Sequence, residues 1–215
     1  MVVANAPWRW HLEHVELVRL AGLVLAADGG ANHLARIGVR PAAVIGDLDS
    51  ILPRVRLWVG EERLVPRPDQ DHTDLHKTLS YAFDERGAKR VTVLAATGGR
   101  LDHAVENLAL LARWAGRGEL VLAAEDADIW PVVGRARFAT RAGQTISIIP
   151  MGRCERVWAQ GLEWPLDGEP LDLSVRTGVC NRATGAAIEV AVEGGVVLVF
   201  FNRQLGNWTS RKLHN

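Results

Sequence analysis

Cysteine is scarce in this sequence, and neither sign of charge is in excess. The 215 residues include two cysteines, Cys154 and Cys180, which are too few for a disulfide framework or for a zinc site built from four thiolates. The 25 basic side chains balance the 25 acidic ones, so the composition does not favour a nucleic-acid or membrane-surface partner. Any site for an anion must therefore come from a local arrangement of residues.

Long apolar segments and the common phosphate-binding motifs are also missing. No uninterrupted apolar run approaches the roughly 20 residues of a membrane-spanning helix, and residues 1–7 lack the basic segment of a signal peptide. We therefore expect a soluble, cytoplasmic protein. The sequence has no G-x-x-x-x-G-K-[ST] loop and no G-x-G-x-x-G fingerprint, which argues against a P-loop enzyme and a typical dinucleotide-binding site.

Apolar runs alternate with helical patterns over residues 1–125, which predicts a mainly parallel sheet with helices on both faces. Runs without polar alternation are typical of strands covered on both sides. The predicted strands are 2–4, 23–27, 42–45, 63–65, 91–96 and 120–124, and the predicted helices are 8–20, 33–37, 74–86 and 101–115.

The pattern changes after residue 135, where short strand-like runs are separated by glycines and no helical period is visible. These runs are 137–140, 145–149, 157–159, 187–192 and 196–201. They predict an all-β domain, most simply a sandwich. The fold class is therefore α/β: a Rossmann-like N-terminal domain over residues 1–130 is followed by a β-sandwich domain over residues 131–215, with the join near 126–134.

Two aspartates with one residue between them follow the strand predicted at 42–45. If the backbone stays extended, the carboxylates of Asp47 and Asp49 point to the same side, roughly 6–7 Å apart. The two carboxylates repel each other unless a positive charge lies between them, and a divalent metal would supply that charge. The alternative is a turn in which Asp49 or Ser50 caps the next helix.

Aspartates and glycines collect after the predicted strands, and the carboxyl ends of parallel strands share the edge where open α/β folds bind ligands. Magnesium prefers oxygen ligands, and glycine lets backbone N–H groups approach phosphate. Lys77 and Arg100 could offset phosphate charge, although Lys77 could instead pair with Asp74 on a solvated helix face. We therefore predict a site for a magnesium-bound polyphosphate. The residues are Asp28, Asp47, Asp49, Asp69, Asp71, Asp74, Asp102, Gly29, Gly30, Gly98 and Gly99.

A zinc hydrolase is a weaker interpretation. His72 and His76 have the i,i+4 spacing of zinc ligands on a helix, but Thr73 stands where a zinc peptidase needs glutamate. His103 beside Asp102 could act as an acid–base pair, or it could simply pack at the start of a helix.

Four blocks resemble, in order and spacing, the signature motifs of the thiamine pyrophosphokinase (thiamine diphosphokinase) family. They are Ala27–Asn32, Gly46–Ile51, Asp69–Lys77 and Gly98–His103, the last followed by Asn107. A fifth segment, Arg176–Asn181, resembles that family's thiamine-side motif. The resemblance implies a homodimer that binds thiamine where the subunits meet. It also implies that the diphosphate of ATP is transferred to thiamine in the presence of Mg²⁺, giving AMP and thiamine diphosphate.

The same resemblance implies roles for individual residues. Asp47, Asp49 and Asp74 would hold the metal and the triphosphate. Four further residues, Asp71, Lys77, Arg100 and Asp102, would serve the transfer step, and thiamine would contact Gly178, Cys180 and Asn181. The nucleotide contacts would be Asp28, Gly29, Gly30, Asn32, Ser50, Asp69, Thr73, Thr97, Gly98, Gly99 and His103.

The sequence departs from the family pattern in three places. Ala6 stands where many members have glycine, Cys180 stands where serine is usual, and Leu198 stands where some members stack an aromatic ring, with Phe200 and Phe201 nearby. These differences affect substrate affinity more than reaction class. Two alternatives remain: a pyrophosphokinase for another alcohol, such as a hydroxymethyl pterin, and a nucleotide- or thiamine-binding module without catalysis.

Overall fold

The computed structural model describes residues 1–203 and 212–213. The chain divides into two compact units. The first contains residues 1–110, 117–119 and 123–125, and the second contains 111–116, 120–122 and the chain from Asp126 onward. Of the second domain predicted from the sequence, residues 204–211 and 214–215 lie outside the described residues.

The first unit is built on a parallel sheet with the strand order β5-β1-β2-β3-β4. Strand β1 lies between β2 and β5, and its Val2 is in register with Leu25 of β2 on one side and with Val93 of β5 on the other. The central strands are buried on both faces, as their unbroken apolar runs predict. The strands are β1 (Val2–Val3), β2 (Leu25–Ala27), β3 (Ala43–Gly46), β4 (Leu64–Pro66) and β5 (Arg90–Leu94), and β6 (Glu119–Ala123) has residues in both units.

Five α-helices accompany these strands, and one of them was not predicted. The missed helix, α3, has seven residues and begins with Pro53 at its first position, where proline is favoured because no N–H is needed there. Thr73 caps α4 as predicted, with its hydroxyl accepting the N–H of His76 at 3.4 Å. The helices are α1 (Leu12–Leu20), α2 (Gly30–Arg36), α3 (Pro53–Val59), α4 (Asp74–Ser80) and α5 (Leu101–Arg113).

Three predicted helix boundaries were wrong. Helix α1 starts at Leu12 rather than at residue 8, and Trp8 before it is buried with its ring 4.8 Å from that of His14. Helix α2 starts at Gly30, three residues before the predicted start. Helix α4 ends at Ser80, and the chain continues as a π-helical turn over Tyr81–Glu85. Within the described residues, no helix is both long and apolar enough to cross a bilayer.

From β7 onward, the strands of the second unit pair with one another in antiparallel fashion. The long strand β12 pairs with β7, β8 and β9, while β10 pairs with β9, β11 with β8 and β13 with β7. Its core includes Phe138, Ile148, Val190 and Phe201. The strands are β7 (Ala127–Ala139), β8 (Thr145–Pro150), β9 (Cys154–Gln160), β10 (Leu166–Leu171), β11 (Gly178–Arg182), β12 (Ala187–Asn202) and β13 (Lys212–Leu213).

The predicted join at 126–134 includes Asp126, from which the second unit runs onward, and the predicted boundary at residue 130, which lies inside β7, stays a prediction. One expectation for this half of the chain was wrong. The runs at 187–192 and 196–201 form one strand, β12, with an irregularity between Val192 and Val197. In the sequence, glycines such as Gly194 indicate a turn, but in the structure they form a bulge within a continuous strand. The mixed α/β architecture itself is confirmed.

Candidate active site

A cavity of about 510 Å³ lies where the parallel strands of the first unit end. Ala4–Pro7 line it after β1, Asp28 after β2 and Asp47 after β3, which is the edge expected for a ligand site in an open parallel sheet. The loop before α4 and the first turn of α5 complete the wall. The other lining residues are Ala27, Ser50, Gln70, Asp71, His72, Thr73, Asp74, Leu75, Lys77, Gly98, Arg100, His103 and Asn107.

The structure brings together most, but not all, of the residues that the sequence pointed to in this unit. Ten of them line the cavity: Asp28, Asp47, Ser50, Asp71, Thr73, Asp74, Lys77, Gly98, Arg100 and His103. Eight others, all among the described residues, do not line it: Gly29, Gly30, Asn32, Asp49, Asp69, Thr97, Gly99 and Asp102.

Three carboxylates converge inside this cavity. Asp28, Asp47 and Asp74 each place one oxygen within 4.8 Å of the others. Burial is the main cause that raises the pKa of Asp28 and of Asp74, and the neighbouring carboxylates raise both further. A site that disfavours three negative charges in this way favours the uptake of a proton or a cation.

The carboxylate trio fits a divalent cation. Oδ2 of Asp28 accepts the N–H of Ser50 at 2.9 Å, whereas its Oδ1 is buried without a hydrogen-bond partner in the described chain. A buried carboxylate oxygen rarely stays unpaired, because the cost of desolvating it is then not recovered. Mg²⁺ binds such oxygens directly, so Asp28, Asp47 and Asp74 form a candidate metal site.

Gly46, the last residue of β3, makes room for this trio. A Cβ at this position would lie 2.9 Å from Cβ of Asp28 and 2.9 Å from Oδ1 of Asp74. Its φ of +153° is also one that side-chain-bearing residues rarely adopt. A glycine is therefore needed here for the carboxylates to approach one another.

The expectation that Asp47 and Asp49 lie on one side of an extended strand was wrong. Leu48 between them has a φ of +66°, which is left-handed, so the chain turns there. The N–H of Asp49 approaches Oδ1 of Asp47 at 3.4 Å, and the Asp49 carboxylate accepts the hydroxyl of Ser50 at 2.8 Å. Neither Asp49 nor Ser50 caps α3, whose N-cap, Leu52, makes no side-chain capping bond.

The first glycine pair serves packing within the chain. A Cβ at Gly30 would lie 2.0 Å from the carbonyl oxygen of Val3, and one at Gly29 would lie 2.2 Å from the side-chain nitrogen of Asn5. The pair therefore lets α2 start directly against the end of β1. In the second pair, Gly98 lines the cavity with a φ of +100°, and a Cβ at Gly99 would lie 2.7 Å from the ring of Pro7.

Ala6 occupies a well-defined backbone position despite its departure from the family pattern. Its N–H donates to the carbonyl of Ala95 at 2.8 Å, and its own carbonyl accepts Nε2 of His33 at 3.0 Å. His33 is buried, and burial lowers its pKa, which favours the neutral ring that can donate through Nε2 alone. The loop that lines the cavity after β1 is thus held from two sides.

Two basic side chains line the cavity in different ways. Nζ of Lys77 lies 3.3 Å from Oδ1 of Asp74, as the spacing predicted, but its side chain is only 6% exposed and does not lie on a solvated face. Arg100 is exposed and binds Asp102 through two hydrogen bonds of 3.1 and 2.5 Å. The guanidinium lowers the pKa of Asp102 to about 2, so Asp102 stays ionised beside it.

The histidines do not assemble a zinc site in the described part of the chain. Nδ1 of His72 lies 3.2 Å from Oδ1 of Asp69, and the rings of His72 and His76 are 4.3 Å apart. The group of three or more ligands found among the described residues is the carboxylate trio, which includes neither histidine. This arrangement disfavours the zinc hydrolase alternative.

Some of the lining residues were not assigned a role from the sequence. Nε2 of Gln70 approaches Oδ2 of Asp47 at 3.4 Å, and Nδ2 of Asn107 donates to the carbonyl of Ala96 at 2.8 Å. Asn5 and Pro7 also line the cavity. Gln70 and Asn107 fall within the motif blocks, so their spacing was the available signal, whereas the loop after β1 carried little beyond its position after a strand.

The predicted thiamine-side residues lie on β11 of the second unit. Asn181 is only 5% exposed, and its side-chain amide binds the backbone of Trp164, with Nδ2 donating to the carbonyl at 2.6 Å and Oδ1 accepting the N–H at 3.1 Å. Cys180 is exposed with a φ of +59°, and its N–H donates to Oγ of Ser147. Asn181 therefore holds the loop that carries the exposed ring of Trp164, a residue that the sequence had not singled out.

The aliphatic position on β12 lies between two core residues, Val197 and Val199, and is not itself part of that core cluster. Leu198 is fully buried, Phe201 is buried in the core, and Phe200 between core positions is partly exposed. Of the two phenylalanines named as substitutes for a stacking ring, Phe200 is the one with accessible surface.

Comparison with known proteins identifies the family. The family model described as "Thiamin pyrophosphokinase, catalytic domain" matches residues 15–122, and rice (Oryza sativa subsp. japonica) Thiamine pyrophosphokinase 1 is 31% identical over 206 residues, covering 82% of this chain and 78% of the rice protein. The chain belongs to the thiamine pyrophosphokinase family. The model described as "Thiamin pyrophosphokinase, vitamin B1 binding domain" matches residues 136–197, so the thiamine pyrophosphokinase likeness extends into the second unit.

Other thiamine pyrophosphokinases show the same relationship at lower identity. Thiamin pyrophosphokinase 1 of Caenorhabditis elegans is 23% identical and covers 86% of this chain and 79% of its own length. The crystal structure of thiamine pyrophosphokinase from Bacillus subtilis superposes with a TM-score of 0.81 at 21% identity, covering 95% of this chain and 98% of that one. The enzyme from Candida albicans gives 0.78 at 17% identity, covering 94% and 88%. These structures show a shared fold.

Proposed function

We propose that this chain is a thiamine pyrophosphokinase that transfers the diphosphate of ATP to the hydroxyl of thiamine. The observation that carries the proposal is the convergence of Asp28, Asp47 and Asp74 within 4.8 Å in a cavity of the segment matched by the catalytic family model. Neither alternative, another alcohol substrate or a non-catalytic module, has an observation in its favour.

In this reaction the hydroxyl oxygen of thiamine forms a bond to the β-phosphorus of ATP. The bond from that phosphorus to the bridging oxygen on the α side breaks, AMP leaves with the electron pair, and the hydroxyl proton is released to solvent. The chain has to align the hydroxyl with the leaving group and stabilise the charge on the phosphates. Lys77 and Arg100 supply positive charge at the cavity wall, and Lys77 is held in place by Asp74.

Mg²⁺ would be held by Asp28, Asp47 and Asp74, and it would neutralise phosphate charge during transfer. Asp49, to which the family resemblance assigns the same duty, lies outside the trio. We therefore propose that Asp28 takes the third position that the sequence had assigned to Asp49. The unpaired, buried Oδ1 of Asp28 supports this choice.

Further parts of the proposal follow from the family resemblance. Residues 1–130 would form the Rossmann-like domain that binds ATP and magnesium, and residues 131–215 would form the β-sandwich that contributes to thiamine binding in a cytoplasmic homodimer. Exposed apolar side chains on the second unit, including those of Leu173, Val175 and Val179, support an interface there. Sedimentation velocity of the purified chain tests the dimer.

The test of the activity is a reconstitution with ATP, Mg²⁺ and thiamine. Chromatography should detect AMP and thiamine diphosphate in equal amounts and no ADP. A panel of alcohols, including a hydroxymethyl pterin, should compete poorly with thiamine. Thiamine binding without AMP release over a range of pH and metal concentration would instead indicate the non-catalytic module.

A further inference from the structure

Asn32 of α2 bridges two points of the loop that follows β3. Its Nδ2 donates to the carbonyl of Ser50 at 3.0 Å, and its Oδ1 accepts the N–H of Leu52 at 3.0 Å. One side-chain amide therefore satisfies an acceptor and a donor two residues apart, which fixes both the position and the orientation of the backbone at Ser50. Asn32 does not itself line the cavity.

Ser50 passes this constraint on to the carboxylate trio. Its N–H donates to Oδ2 of Asp28 at 2.9 Å, and this bond leaves Oδ1 of Asp28 as the buried, unpaired oxygen. Asp28 is buried, so with its Cβ and Cγ held by packing the position of Oδ2 sets the torsion about the Cβ–Cγ bond. The direction in which Oδ1 faces therefore depends on where the Ser50 N–H lies. The Asn32 amide constrains that location from the carbonyl side of Ser50.

Asp28 and Asn32 both lie where β2 leads into the first turn of α2. Asp28 follows β2, and its carbonyl accepts the N–H of Ala31 at 3.0 Å in the turn that starts α2. Asp28 also has a φ of +40°, an uncommon backbone conformation for a residue other than glycine. Asp28 and Asn32 are thus held in one rigid turn, and Ser50 is bound to both of them.

We propose that Asn32 is a positioning residue that orients Asp28 for the divalent cation, acting through the backbone of Ser50 and not through contact with the nucleotide. The inference rests on the proposed function, since it concerns the same metal site. Residues that orient metal ligands typically contribute about 10–100-fold to metal affinity. The site needs this support because three carboxylates at this separation repel one another in the absence of the cation.

The test compares Asn32→Ala and Asn32→Asp with the wild-type chain in the binding of Mn²⁺, measured from the electron paramagnetic resonance signal of the free ion without ATP or thiamine. Asn32→Ala removes both bonds. Asn32→Asp keeps an acceptor for the Leu52 N–H but sets a carboxylate oxygen against the Ser50 carbonyl. Both variants should bind Mn²⁺ about 10-fold or more weakly. The Mg²⁺ concentration that gives half-maximal turnover should rise in parallel, with the KM for thiamine changed less than about two-fold.

The matched control is Thr140→Val in the second unit, which also deletes a side-chain bond to a backbone carbonyl, that of Gly185 at 2.8 Å. It should lower the melting temperature without changing Mn²⁺ binding. If Asn32→Ala does not fold, Asn32→Asp carries the comparison, because it keeps one of the two bonds.

The possible results separate this inference from the proposed function. Wild-type Mn²⁺ affinity in folded Asn32 variants would overturn the inference, and so would a raised KM for ATP with unchanged Mn²⁺ affinity, which would make Asn32 a nucleotide contact. A wild-type chain that binds Mn²⁺ through an Asn32-dependent site but never forms thiamine diphosphate would refute only the proposed function.

Discussion

The side chains that matter most for the proposed activity are three aspartates, two of which follow strands while the third begins a helix. Asp28 follows β2, Asp47 follows β3 and Asp74 begins α4. Each is ordinary in isolation, since aspartate is common in turns and first helical turns. Their chemical interest comes from proximity and burial, which raise the pKa of two of them.

Replacement of a single carboxylate by its amide isostere should show which aspartates bind the metal. Asp28→Asn, Asp47→Asn and Asp74→Asn should each lower kcat/KM by at least about 10²-fold, because each removes one negative ligand. Thiamine diphosphate formation and Mn²⁺ titration measure this loss. Asp167→Asn on the exposed surface of β10 is the control.

Asp49→Asn distinguishes the metal ligands implied by the family resemblance, which include Asp49, from the carboxylate trio, which includes Asp28 instead. If the trio is Asp28, Asp47 and Asp74, this variant should keep Mn²⁺ affinity within a few-fold of the wild-type value, because its carboxylate serves the Ser50 hydroxyl. A loss of Mn²⁺ affinity as large as that of Asp47→Asn would restore Asp49 to the metal site.

The raised pKa values of Asp28 and Asp74 predict how stability depends on pH without metal. A carboxyl whose pKa is higher in the folded than in the unfolded chain binds more protons when folded, so stability falls as pH rises from the ordinary aspartate value, about 3.9, through the raised one. Above the raised pKa, the loss of stability caused by ionising the buried carboxyl is complete. Asp28→Asn removes the ionisation and should therefore melt about 2–4 °C higher than wild type at pH 7 for each kcal/mol recovered.

Thermal melts of metal-free protein at pH 7 and near pH 4 measure this difference. The difference in melting temperature between Asp28→Asn and wild type should narrow at the lower pH, where a larger fraction of the wild-type carboxyl is protonated, and Mg²⁺ should stabilise wild type more than the variant. A gap that stays constant with pH would show that the ionisation of Asp28 is not its cause.

At the scale of elements, the site depends on how closely strands and helices approach at the carboxyl edge of the sheet. Gly30 lets α2 pack against the carbonyl of Val3, and Gly46 ends β3 between two carboxylates. The left-handed turn at Leu48 then sends the chain to Ser50, where Asn32 of α2 binds it. The elements thus fix the geometry through backbone positions more than through side-chain packing.

Gly46→Ala adds only a methyl group but should strongly reduce both turnover and stability. The added methyl group would lie 2.9 Å from both Asp28 and Asp74, under a backbone φ of +153°, so the carboxylates must separate. We expect turnover to fall at least about 10²-fold and the protein to lose about 1–3 kcal/mol, as for other overpacked positions. Gly22→Ala is the matched control, because nothing lies within 4 Å of the added atom. Equal behaviour of the two variants would contradict this role for Gly46.

At the scale of the whole molecule, we expect the first unit to bind ATP and the second unit to contribute to thiamine binding. The cavity with the carboxylates belongs to the first unit, and the segment with Asn181 belongs to the part matched by the vitamin B1 binding model. Asn181 is bonded to the backbone of Trp164, so its expected influence on thiamine acts at least in part through that loop.

Asn181→Ala should therefore raise the KM for thiamine about 10-fold, the loss expected when about 1.4 kcal/mol of binding is removed, and leave the KM for ATP nearly unchanged. Steady-state kinetics with each substrate varied in turn measure the two constants. Thr184→Val, which also removes a bond to a backbone carbonyl in this unit, serves as the control. Equal increases in both KM values would contradict the division of substrates.

The sequence by itself determined the family, the mixed α/β class and the polar edge of the parallel sheet. Unbroken apolar runs predict buried strands, and motif spacing places Asp28, Asp47 and Asp74 after strands or at a helix start, because these signals are local in the chain. Helix α3 escaped prediction because Val55, Leu57 and Val59 alternate in the sequence as in a strand, whereas in the structure Val55 and Val59 are buried and Leu57 is exposed.

Only the tertiary structure decided which of the seven aspartates predicted for the magnesium–polyphosphate site lie close together. Asp47 and Asp49 are neighbours in sequence, yet the left-handed turn at Leu48 separates their roles, while Asp28 joins Asp47 across adjacent strands. The backbone angle of one residue and the packing of strand ends are set by contacts between distant segments, such as that between Asn32 and Ser50. No local pattern encodes such contacts, so the membership of the carboxylate trio follows from the fold.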